Sequence, residues 1–188
     1  YYPNFSFMPN IPREIAIIGA GKMGTVHART MEKLWIRVHV GDVSEAALER
    51  LAKNVPNAVL YRLNLEWNNK LPPEIPTMIV SNTPEHMKNI LERIAQWARE
   101  IFSEKPLGLD LSQTQKILNA AQENNVALHT GFLMRFSPAI EALRGFMEEN
   151  NLIITRASIN WWKDRTQDTR PSAWALQDEA IHGADLLF

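Results

Sequence analysis

A glycine-rich segment that directly follows a short apolar run constrains the fold of this chain more than any other feature. The segment Gly19-Ala20-Gly21-Lys22-Met23-Gly24 follows Ile15-Ala16-Ile17-Ile18, and residues 22–34 contain no proline and no glycine outside the motif. The apolar run predicts a buried parallel strand, and residues 22–34 predict a helix. We therefore expect a tight strand-to-helix turn in which the amino end of the helix faces phosphate groups.

Each glycine of this turn has its own predicted role. Gly19 permits the sharp turn, Gly21 has no Cβ that would obstruct a pyrophosphate, and Gly24 lets the helix pack closely on the strand. A glycine-rich turn of another kind of α/β protein is the alternative, because the bare motif occurs in many turns. The strand before the motif and the helix after it favour a dinucleotide site.

An acidic residue ends the second predicted strand. Residues 37–42 form an apolar run that ends at Asp42, about 20 residues after the first glycine, as dinucleotide-binding folds require. A carboxylate there can accept hydrogen bonds from both ribose hydroxyls, and it would repel a 2′-phosphate. Val43 and Ser44 supply no positive charge for such a phosphate, so the sequence favours NAD over NADP. Asp42 could also cap the helix that is predicted to begin near Ser44.

Composition excludes several classes of protein. The chain has 188 residues, of which 45% are hydrophobic, a formal net charge of −1 and no cysteine. We therefore expect no disulfide, no thiolate nucleophile, and neither a nucleic-acid nor a membrane partner. No apolar run is long enough to span a bilayer, and a cytoplasmic location is expected. The chain begins at Tyr1 without an initiator methionine, which suggests that it is processed, trimmed or incomplete at this end.

Strands and helices are predicted to alternate after an irregular tail at residues 1–12. The predicted helices cover 44–53, 84–100 and 110–124, the last capped by Asp110 or Ser112, and the predicted strands cover 58–61, 77–81, 101–103 and 126–130. This order predicts an α/β fold with a Rossmann-type doubly wound parallel sheet over residues 13–137. Ligands bind beyond the carboxyl ends of such strands, where the glycine loop, Asp42, 81–84 and 104–106 are expected to lie.

The pattern changes at Pro138. Residues 139–149 predict a helix, 152–162 predict a long alternating strand, and a polar stretch then leads to a helix toward Phe188. A single strand cannot form a sheet and would leave its edges unpaired. Residues 138–188 are therefore expected to be the beginning of an α+β substrate and oligomerisation domain that is incomplete in this chain.

Further motifs occur in order along the chain. They are Asn82-Thr83-Pro84-Glu85-His86, Glu104-Lys105-Pro106, Gly131-Phe132-Leu133-Met134-Arg135-Phe136-Ser137-Pro138, and Asp178, His182 and Asp185 at spacings of four and three. Together with the glycine segment they resemble the Gfo/Idh/MocA family of NAD(P)-dependent sugar, inositol and related oxidoreductases. The resemblance runs from about Arg13 to the last residue. It implies a dehydrogenase that acts on a small polyol or sugar and self-associates through its second domain.

The resemblance also implies roles for individual residues. Lys105 matches the catalytic lysine, whose ammonium can stabilise negative charge on the reacting oxygen. His182 matches the acid/base, which titrates near pH ~6.5. Asp178, four residues earlier on the same helix face, would orient the imidazole or bind a substrate hydroxyl, while Asp185 is expected to be structural. No metal is expected. The implied cofactor contacts are Gly19, Gly21, Lys22, Met23, Gly24, Asp42, Asn82, Thr83, His86, Glu104, Lys105 and Arg135.

Other interpretations remain open at this point. Lys105 could be a solvated surface lysine, and His182 with Asp178 could be a surface pair or a metal pair that lacks a third ligand. His86 could lie near the nicotinamide ribose or on a helix surface. Ala180 replaces a glycine that is usual in the family. An NAD-binding regulatory or scaffold module without catalysis is the alternative function, and transient oxidation within an elimination or epimerisation is a third.

A few remaining side chains carry weaker signals. His27 and His39 are assigned to packing or solvent. Trp161, Trp162 and Trp174 could stack on a sugar, although aromatic residues of a strand more often belong to a core.

Overall fold

The computed structural model describes residues 12–64, 75–156, 158, 182 and 185, and the chain divides into two compact units after Thr130. In the first unit the strands and helices alternate as the sequence predicts. Their bounds are β1 Glu14–Ile18, α1 Lys22–Lys33, β2 Arg37–Asp42, α2 Glu45–Ala52, β3 Val59–Arg62, β4 Thr77–Val80, α3 Pro84–Ile94, β5 Glu100–Ser103, α4 Leu111–Glu123 and β6 Ala127–Thr130.

The six strands form one parallel sheet in the order β3-β2-β1-β4-β5-β6. The strand order changes direction between β1 and β4: the chain first adds β2 and β3 on one side of β1 and then β4, β5 and β6 on the other. Ile17 of β1 accordingly pairs with Val40 on one side and with Ile79 on the other. A reversal of this kind creates a crevice at the carboxyl ends of the two central strands. The predicted doubly wound Rossmann-type sheet is confirmed.

Apolar side chains cover both faces of the sheet, because neighbouring residues of a strand point to opposite sides. On one face Ile15 and Ile17 belong to a buried cluster with Leu48 and Leu51 of α2. On the other face Ile18 belongs to a second cluster that includes residues of α3 and α4. Two packed faces hold the central strands firmly, so the loops at their carboxyl ends are built on a rigid support.

Polar side chains set the beginnings of two helices. Asp110 Oδ1 accepts a hydrogen bond of 2.7 Å from the Gln113 N–H, so Asp110 rather than Ser112 caps α4. Ser44 Oγ likewise accepts from the Ala47 N–H at 3.3 Å and caps α2. Asp42 lies two residues before this N-cap and takes part in the helix start as well, because its Oδ1 accepts from the Ser44 N–H at 2.7 Å.

The predicted end of the helix after Pro84 is also wrong. Helix α3 ends at Ile94, whereas the sequence pattern extended it to Glu100. The chain turns at residues 95–97, and the N–H groups of Arg99 and Glu100 both donate to the Pro76 carbonyl, at 2.8 and 3.1 Å. These two bonds lead the backbone into β5 instead of another helical turn.

The second unit contains a short 3-10 helix, Leu133–Phe136, and helix α5, Pro138–Glu149. The strand predicted over residues 152–162 does not begin where expected, because residues 152–156 carry no strand. The physical reason is that a strand without a paired neighbour is unstable. The end of that segment and most of the helix predicted toward Phe188 lie outside the described residues. His182 and Asp185, which are described, are both helical. The sequence pattern placed the domain boundary after residue 137, and the two compact units divide after Thr130.

Candidate dinucleotide site

The glycine loop between β1 and α1 is held by the neighbouring strands. Gly19 adopts a φ of 103°, which favours glycine, and its N–H donates to the Gly41 carbonyl at 2.9 Å. A Cβ on Gly19 would lie 3.0 Å from Ser81 Oγ and 3.1 Å from Asn82 Oδ1. The first glycine is thus needed both for the turn and for the close approach of the loop that follows β4.

The other two glycines of the motif differ in their surroundings. A Cβ on Gly24 would lie 1.8 Å from the Gly19 carbonyl oxygen, so only glycine allows α1 to approach the turn. A Cβ on Gly21 would meet no atom within 4 Å, which leaves this side of the loop accessible to a ligand. Gly21 is the N-cap of α1, and Lys22 and Met23 begin the helix. Backbone N–H groups at such a helix end favour a phosphate ligand.

Asp42 joins the glycine loop to the turn after β2. Its Oδ2 accepts a hydrogen bond of 2.6 Å from the Ala20 N–H, and its Oδ1 accepts one of 2.7 Å from the Ser44 N–H. Short bonds of this kind are typical of an ionised acceptor. The carboxylate therefore lies at the carboxyl end of β2 and directly beside the glycine loop, where an adenosine ribose would need it.

A pocket of about 130 Å³ opens between this edge of the sheet and α3. Asp42, Asn82, His86 and Asn89 contribute polar groups, and the apolar part of the lining comes from Ile18, Val43, Leu63 and Ile90. Within the part of the chain that the structure describes, the buried Asn82 Oδ1 has no hydrogen-bond partner. A buried acceptor in this state favours a ligand that brings a donor.

The residues around Asn82 fit a dinucleotide. Thr83 is the N-cap of α3, and its side chain accepts no capping hydrogen bond. The side chain of His86 is exposed on α3 at the pocket, while its place near the nicotinamide ribose stays a prediction. Together with the open side of Gly21 and the carboxylate of Asp42, these residues form a helix end that suits an anion, an acceptor suited to ribose hydroxyls and a partly apolar pocket.

Glu104, Lys105 and Pro106 follow β5 at the same edge of the sheet. The Glu104 N–H donates to the Val80 carbonyl at 2.8 Å, and its carboxylate Oε1 lies 2.7 Å from His27 Nε2 in α1. Lys105 is partly exposed, and its peptide bond to Pro106 is cis. Sequence reasoning missed the contact between His27 and Glu104, because 77 residues separate them and no local pattern joins them.

In the second unit Arg135 and Asp185 form an ion pair. Arg135 Nε donates to Asp185 Oδ2 at 3.0 Å, and a second guanidinium nitrogen donates to Oδ1. The hydrogen bond with Asp185 raises the pKa of Arg135. The carboxylate is buried and the arginine is half-exposed. This pairing agrees with the structural role expected for Asp185, while the cofactor role expected for Arg135 stays a prediction.

The remaining predicted residues and exclusions are partly covered by the structure. His182 is half-buried, and Asp178 lies outside the described residues.

Within residues 12–64 and 75–156 and at the three single positions beyond them, no group of three or more His, Asp or Glu side chains could hold a metal ion. No helix in the same part of the chain is long and apolar enough to cross a membrane. His39 is buried against Tyr61 and Glu14, so it belongs to the packing.

The sheet, the glycine loop at the amino end of α1 and the acid at the end of β2 define a dinucleotide-binding Rossmann domain. Residues 13–132 match the family described as an oxidoreductase family with an NAD-binding Rossmann fold. The chain belongs to this family, Gfo/Idh/MocA.

Curated relatives and solved structures agree with this membership. The chain is 25% identical over 179 residues to the inositol 2-dehydrogenase of Rhizobium meliloti, which covers 90% of the chain and 52% of that relative. It is 29% identical over 137 residues to the scyllo-inositol 2-dehydrogenase (NAD(+)) of Bacillus subtilis, which covers 66% of the chain and 36% of that relative. The crystal structure of GenD2 from gentamicin A biosynthesis in complex with NAD shares the fold, with a TM-score of 0.71, 20% identity and coverage of 94% and 53%. The chain thus spans about half or less of the length of these proteins.

Proposed function

We propose that this chain carries the NAD-binding and lysine-bearing part of a dehydrogenase that oxidises a secondary alcohol of an inositol, a sugar or a related polyol. One observation carries the proposal: the glycine loop, Asp42 and the Glu104-Lys105-Pro106 segment meet at one edge of a single parallel sheet. The two curated relatives described above, an inositol and a scyllo-inositol dehydrogenase, support the substrate class.

The cofactor contacts follow from the geometry of the loop. The N–H groups at the amino end of α1, with Lys22 and Met23, would bind the pyrophosphate where Gly21 leaves room. Asp42 would accept the hydroxyls of the adenosine ribose, and its charge disfavours the 2′-phosphate of NADP. The pocket lined by Asp42, Asn82 and His86 would hold the part of the dinucleotide that lies between the two riboses and beside α3. Asn82 Oδ1 would accept a hydroxyl of the second ribose, with Thr83 beside it.

The chemistry needs a group that stabilises oxygen charge and a group that takes a proton. When bound, the dinucleotide supplies the hydride acceptor. Lys105, at the end of β5, would hydrogen-bond the reacting oxygen as its negative charge develops. His182 would accept the hydroxyl proton, since an imidazole exchanges protons near neutral pH. Asp178 would orient that imidazole or bind a neighbouring substrate hydroxyl.

Calorimetry with NAD and NADP, followed by assays for NADH formation with a panel of inositols and sugars, tests the proposal. We expect NAD to bind about tenfold or more tightly than NADP, because like charges in contact are costly. NADH formation with at least one polyol is expected. Failure of well-folded protein to bind either dinucleotide would contradict the proposal. Binding without turnover of any substrate would favour a regulatory or scaffold module instead.

A further inference from the structure

The contact between His27 and Glu104 links two parts of the first unit that have separate roles in the proposed function. His27 belongs to α1, whose amino end would face the phosphates in the proposed function, and Glu104 directly precedes Lys105. The two side chains are only 13% and 9% exposed, and Nε2 lies 2.7 Å from Oε1. An ionised carboxylate only accepts hydrogen bonds, so an ionised Glu104 pairs here with the imidazole tautomer that carries its proton on Nε2.

Glu104 is held from three sides. Its N–H donates to the Val80 carbonyl of β4 at 2.8 Å, and its carbonyl accepts from Ser103 Oγ at 3.2 Å. Its carboxylate is the third point, held by His27. The imidazole is itself oriented by the edge of the Phe102 ring, with centroids 5.6 Å apart and an angle of 69°. The backbone of Lys105 therefore begins at a residue whose position is set by α1 as well as by the sheet.

A purely stabilising role explains this pair poorly. Taking a carboxylate out of water is costly, and well-packed apolar residues of similar size often replace a buried pair at no loss of stability. A direct role for Glu104 with a ligand is also disfavoured, because its carboxylate is engaged by α1 and almost fully buried. The remaining explanation is orientation of the segment that carries Lys105.

We propose that His27 is a positioning residue, which fixes the Lys105 segment relative to the phosphate-binding helix through the carboxylate of Glu104. The expected effect of the His27–Glu104 contact on turnover rests on the proposed function, whereas its expected effect on the position of Lys105 does not. The proposal assigns Glu104 to the same task, so that it would act through Lys105 rather than by touching the dinucleotide.

The test compares three variants of His27 and Glu104 with a matched control. His27→Phe keeps a ring of similar size but removes the donor, and His27→Gln keeps an N–H donor. Glu104→Met keeps a side chain of similar length and removes the acceptor, and it serves if His27→Phe does not fold. His39→Phe is the control, because His39 Nε2 also lies 2.7 Å from a carboxylate, that of Glu14, away from the Lys105 segment.

Lys105 is observed directly by NMR after its amine is reductively methylated with ¹³C-formaldehyde, with Lys105→Met used to assign its resonance. We expect His27→Phe to shift this resonance in the protein without cofactor, His27→Gln to restore it in large part, and His39→Phe to leave it in place. In the active enzyme kcat is expected to fall about 10- to 100-fold in His27→Phe, since small misplacements cost rates of this order. The dissociation constant for NADH should change less than kcat.

Two outcomes overturn the proposal. One is a Lys105 resonance that stays at its parent position in His27→Phe or, where that variant does not fold, in Glu104→Met. The other is an equal shift in the His39→Phe control, which would indicate general loosening of the domain. Failure of the proposed function gives a different result. In that case the parent protein itself would bind no dinucleotide or turn over no polyol. The NMR comparison of the variants would still report the position of Lys105.

Discussion

Alanine substitutions at Gly21 and Gly24 should separate ligand binding from stability within one loop. At Gly21 the backbone has φ −72° and ψ −165°, which any residue adopts, and the added Cβ would meet no atom within 4 Å. Loss of unfolded-state freedom would stabilise the variant by about 0.4–1 kcal/mol. Alanine is a poorer N-cap than glycine by a similar amount. Gly21→Ala should therefore change the free energy of unfolding by no more than about 0.5 kcal/mol.

Gly24→Ala is expected to behave in the opposite way. Its Cβ would lie 1.8 Å from the Gly19 carbonyl oxygen, whereas ordinary contact begins at 3.4 Å. The obstacle is backbone and not a flexible side chain, so either the loop or α1 must move by more than 1 Å. Overpacking of this kind costs about 3 kcal/mol, which lowers the melting temperature by roughly 10 °C in a chain of this size.

Thermal melts and calorimetry with NAD measure the two effects independently. Gly21→Ala should melt near the parent temperature and bind NAD about 30-fold more weakly, because its Cβ would cost about 2 kcal/mol against a close pyrophosphate. Gly24→Ala should melt early. Unchanged NAD affinity in Gly21→Ala would refute the assignment of this loop as the phosphate site, and a parent-like melt of Gly24→Ala would refute the packing argument.

Three further variants test other parts of the site and fold. Lys105→Met should lower kcat about 100-fold or more while the dissociation constant for NAD stays within about threefold; unchanged kcat in steady-state assays would rule out its role at the reacting oxygen. Asp42→Asn should raise the affinity for NADP about tenfold, because it removes a like charge beside the 2′-phosphate, and calorimetry that shows no gain would count against the ribose assignment. Asp110→Ala removes the cap of α4 and should lower the free energy of unfolding by about 1 kcal/mol in urea titrations, with NAD binding unchanged.

The fold of the first unit is readable from the sequence because its main signals are local. An apolar strand, three glycines at fixed spacing and an acid at the end of the next strand place β1, α1 and β2 almost to the residue. The end of α3 is different. Residues 95–99 contain neither glycine nor proline, so no local signal predicts the turn. The turn depends on hydrogen bonds from the N–H groups of Arg99 and Glu100 to the carbonyl of Pro76, which lies more distant in the chain.

The site divides in the same way. Position 42 is predicted by spacing alone, but the hydrogen bond from Ala20 to its carboxylate exists only because β1 and β2 pair. The contact between His27 and Glu104 needs the complete order of the sheet, which brings β5 beneath α1. Residues 152–156 show the converse error, since their pattern predicts strand and they form none; an alternating pattern indicates strand propensity but supplies no neighbouring strand.

The carboxylate of Asp42 has consequences for how measured affinities are interpreted. One amide proton on each oxygen holds it in one orientation, so the ribose proposed to bind there would meet a preset acceptor and little rotamer entropy would be lost on association. Each oxygen keeps one further lone pair for that sugar. Removing the whole side chain would also release the loop amide that it restrains, and the affinity lost in such a truncation would exceed what the sugar contact alone contributes.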